Sequence, residues 1–114
     1  MDLTRGAIVL ACGPEAAATD DADATRPFLV VQSDLFNETH GTITLCPLTT
    51  RVGGETLFRV ALSPQDHTGL TAECEIQVDK VLSIRRDRLT DVIGRASATR
   101  MEQVDQALRR WLML

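Results

Sequence analysis

At 114 residues the chain is the size of one domain, and a fold of that length buries roughly 65% of its extended surface, enough for a core without staples. With 44% hydrophobic and 25% charged residues it reads as an ordinary soluble globular protein, which excludes disordered and collagen-like classes. Twelve basic against sixteen acidic side chains leave a net charge of −4, which argues against non-specific coating of nucleic acid by a broadly basic face.

The charge is uneven. Residues 1–79 carry four basic and twelve acidic side chains; residues 80–114 carry eight basic and four acidic ones. An anion-facing half and a merely solvated surface both fit that split. No apolar run approaches the ~20 residues of a membrane span. Met1-Asp2-Leu3-Thr4-Arg5 opens without the basic and apolar regions of a signal peptide, so a cytoplasmic location is expected. Cys12, Cys46 and Cys74 are odd in number and widely spaced. That argues against a disulfide framework or a zinc site and for small buried apolar residues in a reducing compartment.

In chain order, Gly6–Cys12 is a short apolar run rich in strand formers and predicts a buried strand. Residues 13–25, from Gly13-Pro14 through a set of alanines and aspartates, predict a mobile acidic loop. Arg26-Pro27 opens a second strand through Gln32, because proline is tolerated where a strand begins. Ser33–Asn37 predicts a turn and Gly41–Leu48 a third strand. Val52–Glu55 predicts a turn, Leu57–Leu62 a fourth strand, Thr71–Ile84 one or two more, and Val92–Ala96 a last short one. The period then changes. Met101, Val104, Leu108, Trp111 and Leu112 share one helical face, with Ser97 or Thr99 as the cap. Five or six short strands followed by one helix predict a mainly β fold, a small bent sheet or barrel closed by the helix.

The familiar catalytic patterns are absent: no G-x-S-x-G, H-E-x-x-H, P-loop or G-x-G-x-x-G. His40 and His67 both fall in predicted loops, more consistent with exposure than with acid–base work. More informative is Arg26 at the start of the second strand, with Thr49, Thr50 and Arg51 just after the third. If those strands pair, a guanidinium and two hydroxyls converge at one end of the sheet. A guanidinium grips phosphate bidentately and threonine hydroxyls add hydrogen bonds.

Three segments together resemble the MazF/PemK toxins of toxin–antitoxin pairs: Arg5-Gly6, Arg26-Pro27-Phe28-Leu29-Val30-Val31-Gln32-Ser33-Asp34, and Thr44-Leu45-Cys46-Pro47-Leu48-Thr49-Thr50. Asp79–Ile84 with Arg88-Leu89, and the closing Val104-Asp105-Gln106-Ala107-Leu108, extend the resemblance over nearly the whole chain, in order. It implies an SH3-like barrel with a C-terminal helix, spanning residues 1–114 as one toxin domain. It implies a homodimer restrained by a small antitoxin, and cleavage of single-stranded RNA that needs no metal or other cofactor. The apolar third strand and the helix face are the expected dimer surfaces. By the same resemblance Arg26 stabilises transition-state charge, Thr49 positions the phosphate and Asp79 is a candidate catalytic acid. Pro14, Gln32, Ser33, Thr50 and Arg51 are the candidate substrate-binding residues.

The sequence departs from the family pattern in four places. Ala7 replaces an acidic residue, and the 13–25 loop lacks the G-x-E-Q-G run and carries aspartates that oppose phosphate. Ser33 stands where asparagine is common, and Lys80 where glutamine is. Val31-Gln32-Ser33-Asp34 and Pro47-Leu48 also resemble the CcdB toxins, which share the barrel and bind DNA gyrase through a tryptophan near the C-terminus. Trp111 is the corresponding residue, and core packing beside Leu108 and Leu112 is the competing expectation for it. A degenerate toxin that only binds antitoxin is a third reading, motivated by the altered loop.

Overall fold

The computed structural model describes residues 1–12, 25–55 and 57–114. Residues 13–24 of the expected acidic loop, Pro14 among them, therefore lie outside the described residues, while Thr25 opens a strand. Among the described residues seven strands, β1 (Ala7–Cys12), β2 (Thr25–Val30), β3 (Thr42–Thr49), β4 (Arg59–Leu62), β5 (Cys74–Gln77), β6 (Leu82–Arg85) and β7 (Leu89–Arg95), precede one α-helix, α1 (Ala98–Leu112). The pairings are antiparallel, in the order β4-β5-β3-β2-β1-β7, with β6 also on β3. This is the mainly β small-barrel class with a C-terminal helix.

β3 is the hub. β2 pairs along one edge of it, while β6 takes Thr42–Leu45 and β5 takes Leu48 and Thr49 on the other. The sheet bends where β3 changes partner, and apolar side chains fill both of its faces. Ile8, Leu29, Cys46 and Leu48 join one cluster; Val9, Phe28, Val30, Ile43 and Leu45 join the other. That is why β1 and β2 read as continuous apolar runs: their odd and even residues enter different cores.

Thr71–Ile84 divides into β5 and β6 because a 3-10 turn, Val78–Lys80, intervenes. β7 is longer than expected and begins at Leu89, which is buried beside Val9 and Phe28. It meets β1 with two register shifts. Gly94 of β7 passes so close to the 67–70 loop that a Cβ there would stand 2.2 Å from the Thr68 carbonyl carbon. A glycine is required by that contact, not by backbone angle.

Ser97 caps α1, accepting the Arg100 amide at 3.2 Å; Thr99 lies inside the helix. The helix packs on β4 and the 78–80 turn. Val104 and Ala107 are fully covered, and Met101 and Leu108 partly so. Trp111 is 47% exposed and Leu112 similar, so the expected apolar face is core only in its first half. In the last turn the Trp111 ring meets Phe58, the residue before β4, edge-on at 5.2 Å. On β3, Ile43, Leu45, Cys46 and Leu48 are buried within the chain and both edges are paired, while Thr42, Thr44, Pro47 and Thr49 are partly exposed. Cys46 and Cys74 are buried as expected, whereas Cys12 is only half-buried. All three thiols are free.

Candidate active site

β2 and β3 pair Phe28 with Pro47, Leu29 with Cys46 and Val30 with Leu45. Arg26 lies two residues before Phe28 on β2, and Thr49 two residues after Pro47 on β3. The two β-bonded strands thus bring the arginine and the threonine to one end of the sheet, as their spacing required. There they line an open cleft of about 580 Å³. Pro27, Phe28, Pro47, Leu48 and Cys74 form its apolar floor, and Arg26, Thr49, Thr50, Arg51, Gln77 and Lys80 its polar walls.

Three of the wall residues are cationic and none of the described lining residues is acidic. In a chain of net charge −4 this is a local concentration of positive potential. No ion pair among the described residues engages Arg26, Arg51 or Lys80. Thr49 is oriented by its neighbour: its Oγ1 accepts the Arg51 amide at 3.1 Å, which uses a lone pair and leaves the O–H bond to donate. The arrangement suits a phosphate, with a planar fork, a hydroxyl donor and an apolar floor that takes a base or ribose.

The other candidates lie elsewhere. Gln32 and Ser33 follow β2 at the end opposite Arg26, about 20 Å away at the usual strand rise. Gln32 is held in the fold: its amide donates to Asn37 Oδ1 at 3.0 Å and its carbonyl accepts the Thr44 amide at 3.1 Å. Ser33 Oγ accepts the Leu35 amide. Both organise the turn after β2. Asp79 is not a lining residue although Lys80 beside it is. Its carboxylate acts instead on Cys46, on the opposite face of β3 from Pro47 and Thr49. Burial is the largest cause pushing that thiol up to about 12; Arg5 comes next and opposes it, and Asp79 adds a smaller upward push. Burial, with Glu73, also raises the Cys74 thiol in the cleft floor, so neither cysteine offers a thiolate nucleophile at neutral pH. His40 and His67 are exposed and outside the cleft.

Gln77 and Lys80 are the polar cleft residues that sequence reasoning did not assign. Their signal was present in part: Lys80 departs from the family pattern, and Gln77 alternates with buried Ile76 and Val78.

The chain belongs to the family described as PemK-like, MazF-like toxin of type II toxin–antitoxin system, whose family model matches residues 4–112. It is similar to endoribonuclease MazF9 of Mycobacterium tuberculosis, 36% identical over 105 residues that cover 88% of each chain. It is also similar to the probable endoribonuclease MazF of Mycolicibacterium smegmatis, 36% identical over 83 residues, covering 73% of this chain and 75% of that one. Among solved structures, a mycobacterial endoribonuclease in complex with its cognate antitoxin superposes with a TM-score of 0.77 at 23% identity, over 97% of this chain and 95% of that one. A MazE–MazF complex from Deinococcus radiodurans gives 0.75 at 23% identity, with the same coverage of both chains. These likenesses show the fold.

Proposed function

We propose that this toxin is an endoribonuclease that cuts single-stranded RNA by attack of a ribose 2′-hydroxyl on the adjacent phosphate. The observation that carries this reading is the convergence of Arg26 and Thr49 in a cleft whose described lining residues include three cations and no carboxylate. As the 2′ oxygen bonds to phosphorus, the bond to the 5′ oxygen breaks. The proton released by the 2′-hydroxyl equals the one taken up by the leaving 5′ oxygen. An arginine keeps its proton, so Arg26 serves as charge stabiliser for the pentacoordinate phosphorus and not as base. Thr49 donates its hydroxyl to a non-bridging oxygen and holds the phosphate in line. Thr50, Arg51, Gln77 and Lys80 bind the flanking chain. No step in this scheme calls on Asp79, Gln32 or Ser33.

The names of the curated relatives support the nuclease reading over gyrase binding. In this reading residues 1–114 act as one toxin domain, a cytoplasmic homodimer. A flexible acidic antitoxin segment folds onto the cationic cleft and blocks it. No helix among the described residues is long and apolar enough to cross a membrane.

The test is cleavage of a long unstructured RNA in EDTA, with ends mapped by primer extension. Discrete cuts by the wild type are expected, and Arg26→Ala should cut about 10²–10³-fold more slowly, the usual cost of removing one group that stabilises developing charge. An Arg26→Ala protein of full activity defeats the assignment. A folded wild type that cuts no RNA defeats the nuclease reading.

A further inference from the structure

Arg51 enters the cleft from residues 50–55, a stretch whose described side chains are all exposed and which contains Gly53 and Gly54. Apolar packing does not hold it. Two side chains from neighbouring strands do. Arg59 of β4 donates through Nη1 to the Arg51 carbonyl at 2.9 Å and to Glu75 Oε1 of β5 at 3.1 Å. The second Glu75 oxygen accepts the Gly53 amide at 3.2 Å. With the Arg51 amide on Thr49 Oγ1, the Arg51 backbone is held at both its N–H and its C=O.

The pair is not an ordinary surface ion pair. Its side chains are 20% and 17% exposed, so its attraction is screened less than that of two solvated charges. Its place in the sheet ties it to the cleft. Glu75 faces Thr49 across β3 and β5, and Arg59 faces Gln77 across β4 and β5. Both of those facing residues line the cleft.

Resting on the ribonuclease reading above, we propose that the Arg59–Glu75 pair is a latch that aims Arg51 into the cleft as a second phosphate subsite, for the RNA phosphodiester next to the scissile one. Arg26 and Thr49 serve the scissile phosphate. A guanidinium on a glycine-rich loop loses binding energy to ordering unless the loop is already fixed. The latch supplies that order before RNA arrives. Arg59 and Glu75 are positioning residues: they act through Arg51 and touch no substrate.

The test is a double-mutant cycle on a short fluorogenic RNA, with Arg51→Ala, Glu75→Ala and the double variant. Binding of an all-deoxy oligonucleotide of the same sequence, which lacks the attacking hydroxyl, is measured alongside. Each single variant should raise KM and the oligonucleotide Kd about tenfold, the order expected for one charge-assisted phosphate contact, with kcat within about twofold. The double variant should be no worse than Arg51→Ala, and Glu75→Gln, which keeps one acceptor oxygen for either the Arg59 or the Gly53 N–H but not for both, should recover only part of the loss. Independent, multiplying effects overturn the latch, as does a Glu75→Ala loss confined to kcat. If the wild type cuts no RNA, the nuclease reading falls, and the same cycle on oligonucleotide binding still decides for or against the latch.

Discussion

The guanidinium of Arg5 reaches Asp105, one hundred positions away: Nη2 lies 2.5 Å from Oδ1, and Nε donates to the Val31 carbonyl at 2.9 Å. The Arg5 amide donates to Asp34 Oδ1 at 2.6 Å and its carbonyl accepts from Arg95 at 2.7 Å. Arg5, Asp34 and Asp105 each belong to a different motif of the toxin family. Their contacts account for all three motifs by one junction, where the N-terminal arm, the turn after β2 and α1 are pinned together. The junction lies outside the cleft lining.

Asp105→Ala should therefore cost stability and leave chemistry alone. The pair is about one-third exposed, so a loss of about 1 kcal/mol is expected, a fall of roughly 4 °C in Tm. Thermal melts read the loss. RNA cleavage per folded molecule should match the wild type, and a large drop in kcat would place the junction in the mechanism.

Two glycines separate contact from conformation. At Gly94 an added Cβ meets the Thr68 backbone, which cannot move away as a flexible side-chain end would. Gly94→Ala should cost about 3 kcal/mol or more in urea unfolding. At Gly53 the φ is +84° and nothing lies within 4 Å, so Gly53→Ala meets only backbone strain, about 1 kcal/mol. Equal costs at the two sites would contradict the packing of the 67–70 loop on β7.

Cys46 predicts an alkaline limit. Its thiol rises from 9.0 to about 12 in the fold, chiefly by burial. Above pH 9 the unfolded chain loses that proton while the native chain keeps it, so stability falls as pH rises through the window from 9 to about 12. Below pH 9 the stability is fully present. Urea midpoints at pH 8 and pH 10.5 should fall for the wild type and fall less for Cys46→Ala. Identical slopes would show that another group controls the limit.

Lys80 predicts a salt signature. If it meets a phosphate, Lys80→Gln should flatten the plot of log affinity against log salt for a single-stranded oligonucleotide by about 0.7, one counterion's worth. The side chain is exposed, so the fold is not at risk. Anisotropy titrations across a range of salt concentrations measure the slope, and an unchanged slope would remove Lys80 from the binding surface.

The local elements were legible because each rests on its neighbours in sequence. The apolar runs predict β1, β2 and β3. Ser97 and the i, i+3, i+7 pattern predict α1, and Arg26 and Thr49 stand at matching strand ends. Pairing β2 with β3 was enough to bring those two together. The limits lay where distance along the chain says nothing about distance in space. Trp111 shares a helical face with Val104, yet only the tertiary packing leaves one half-exposed and the other covered. Gln32 and Asp79 sit in family motifs, but a hydrogen bond from Gln32 to Asn37 and one from the Thr44 amide to Gln32 keep it in the turn, and the 78–80 turn sends Lys80, not Asp79, to the cleft. Periodicity and spacing by themselves determined the strands, the helix and the placement of Arg26 and Thr49 at matching strand ends, because those depend on side-chain pattern and register. The Arg59–Glu75 pair, the Arg5–Asp105 junction and the cationic wall at Lys80 were decided only by tertiary structure, because each needs strands or termini that are remote in sequence to meet in three dimensions.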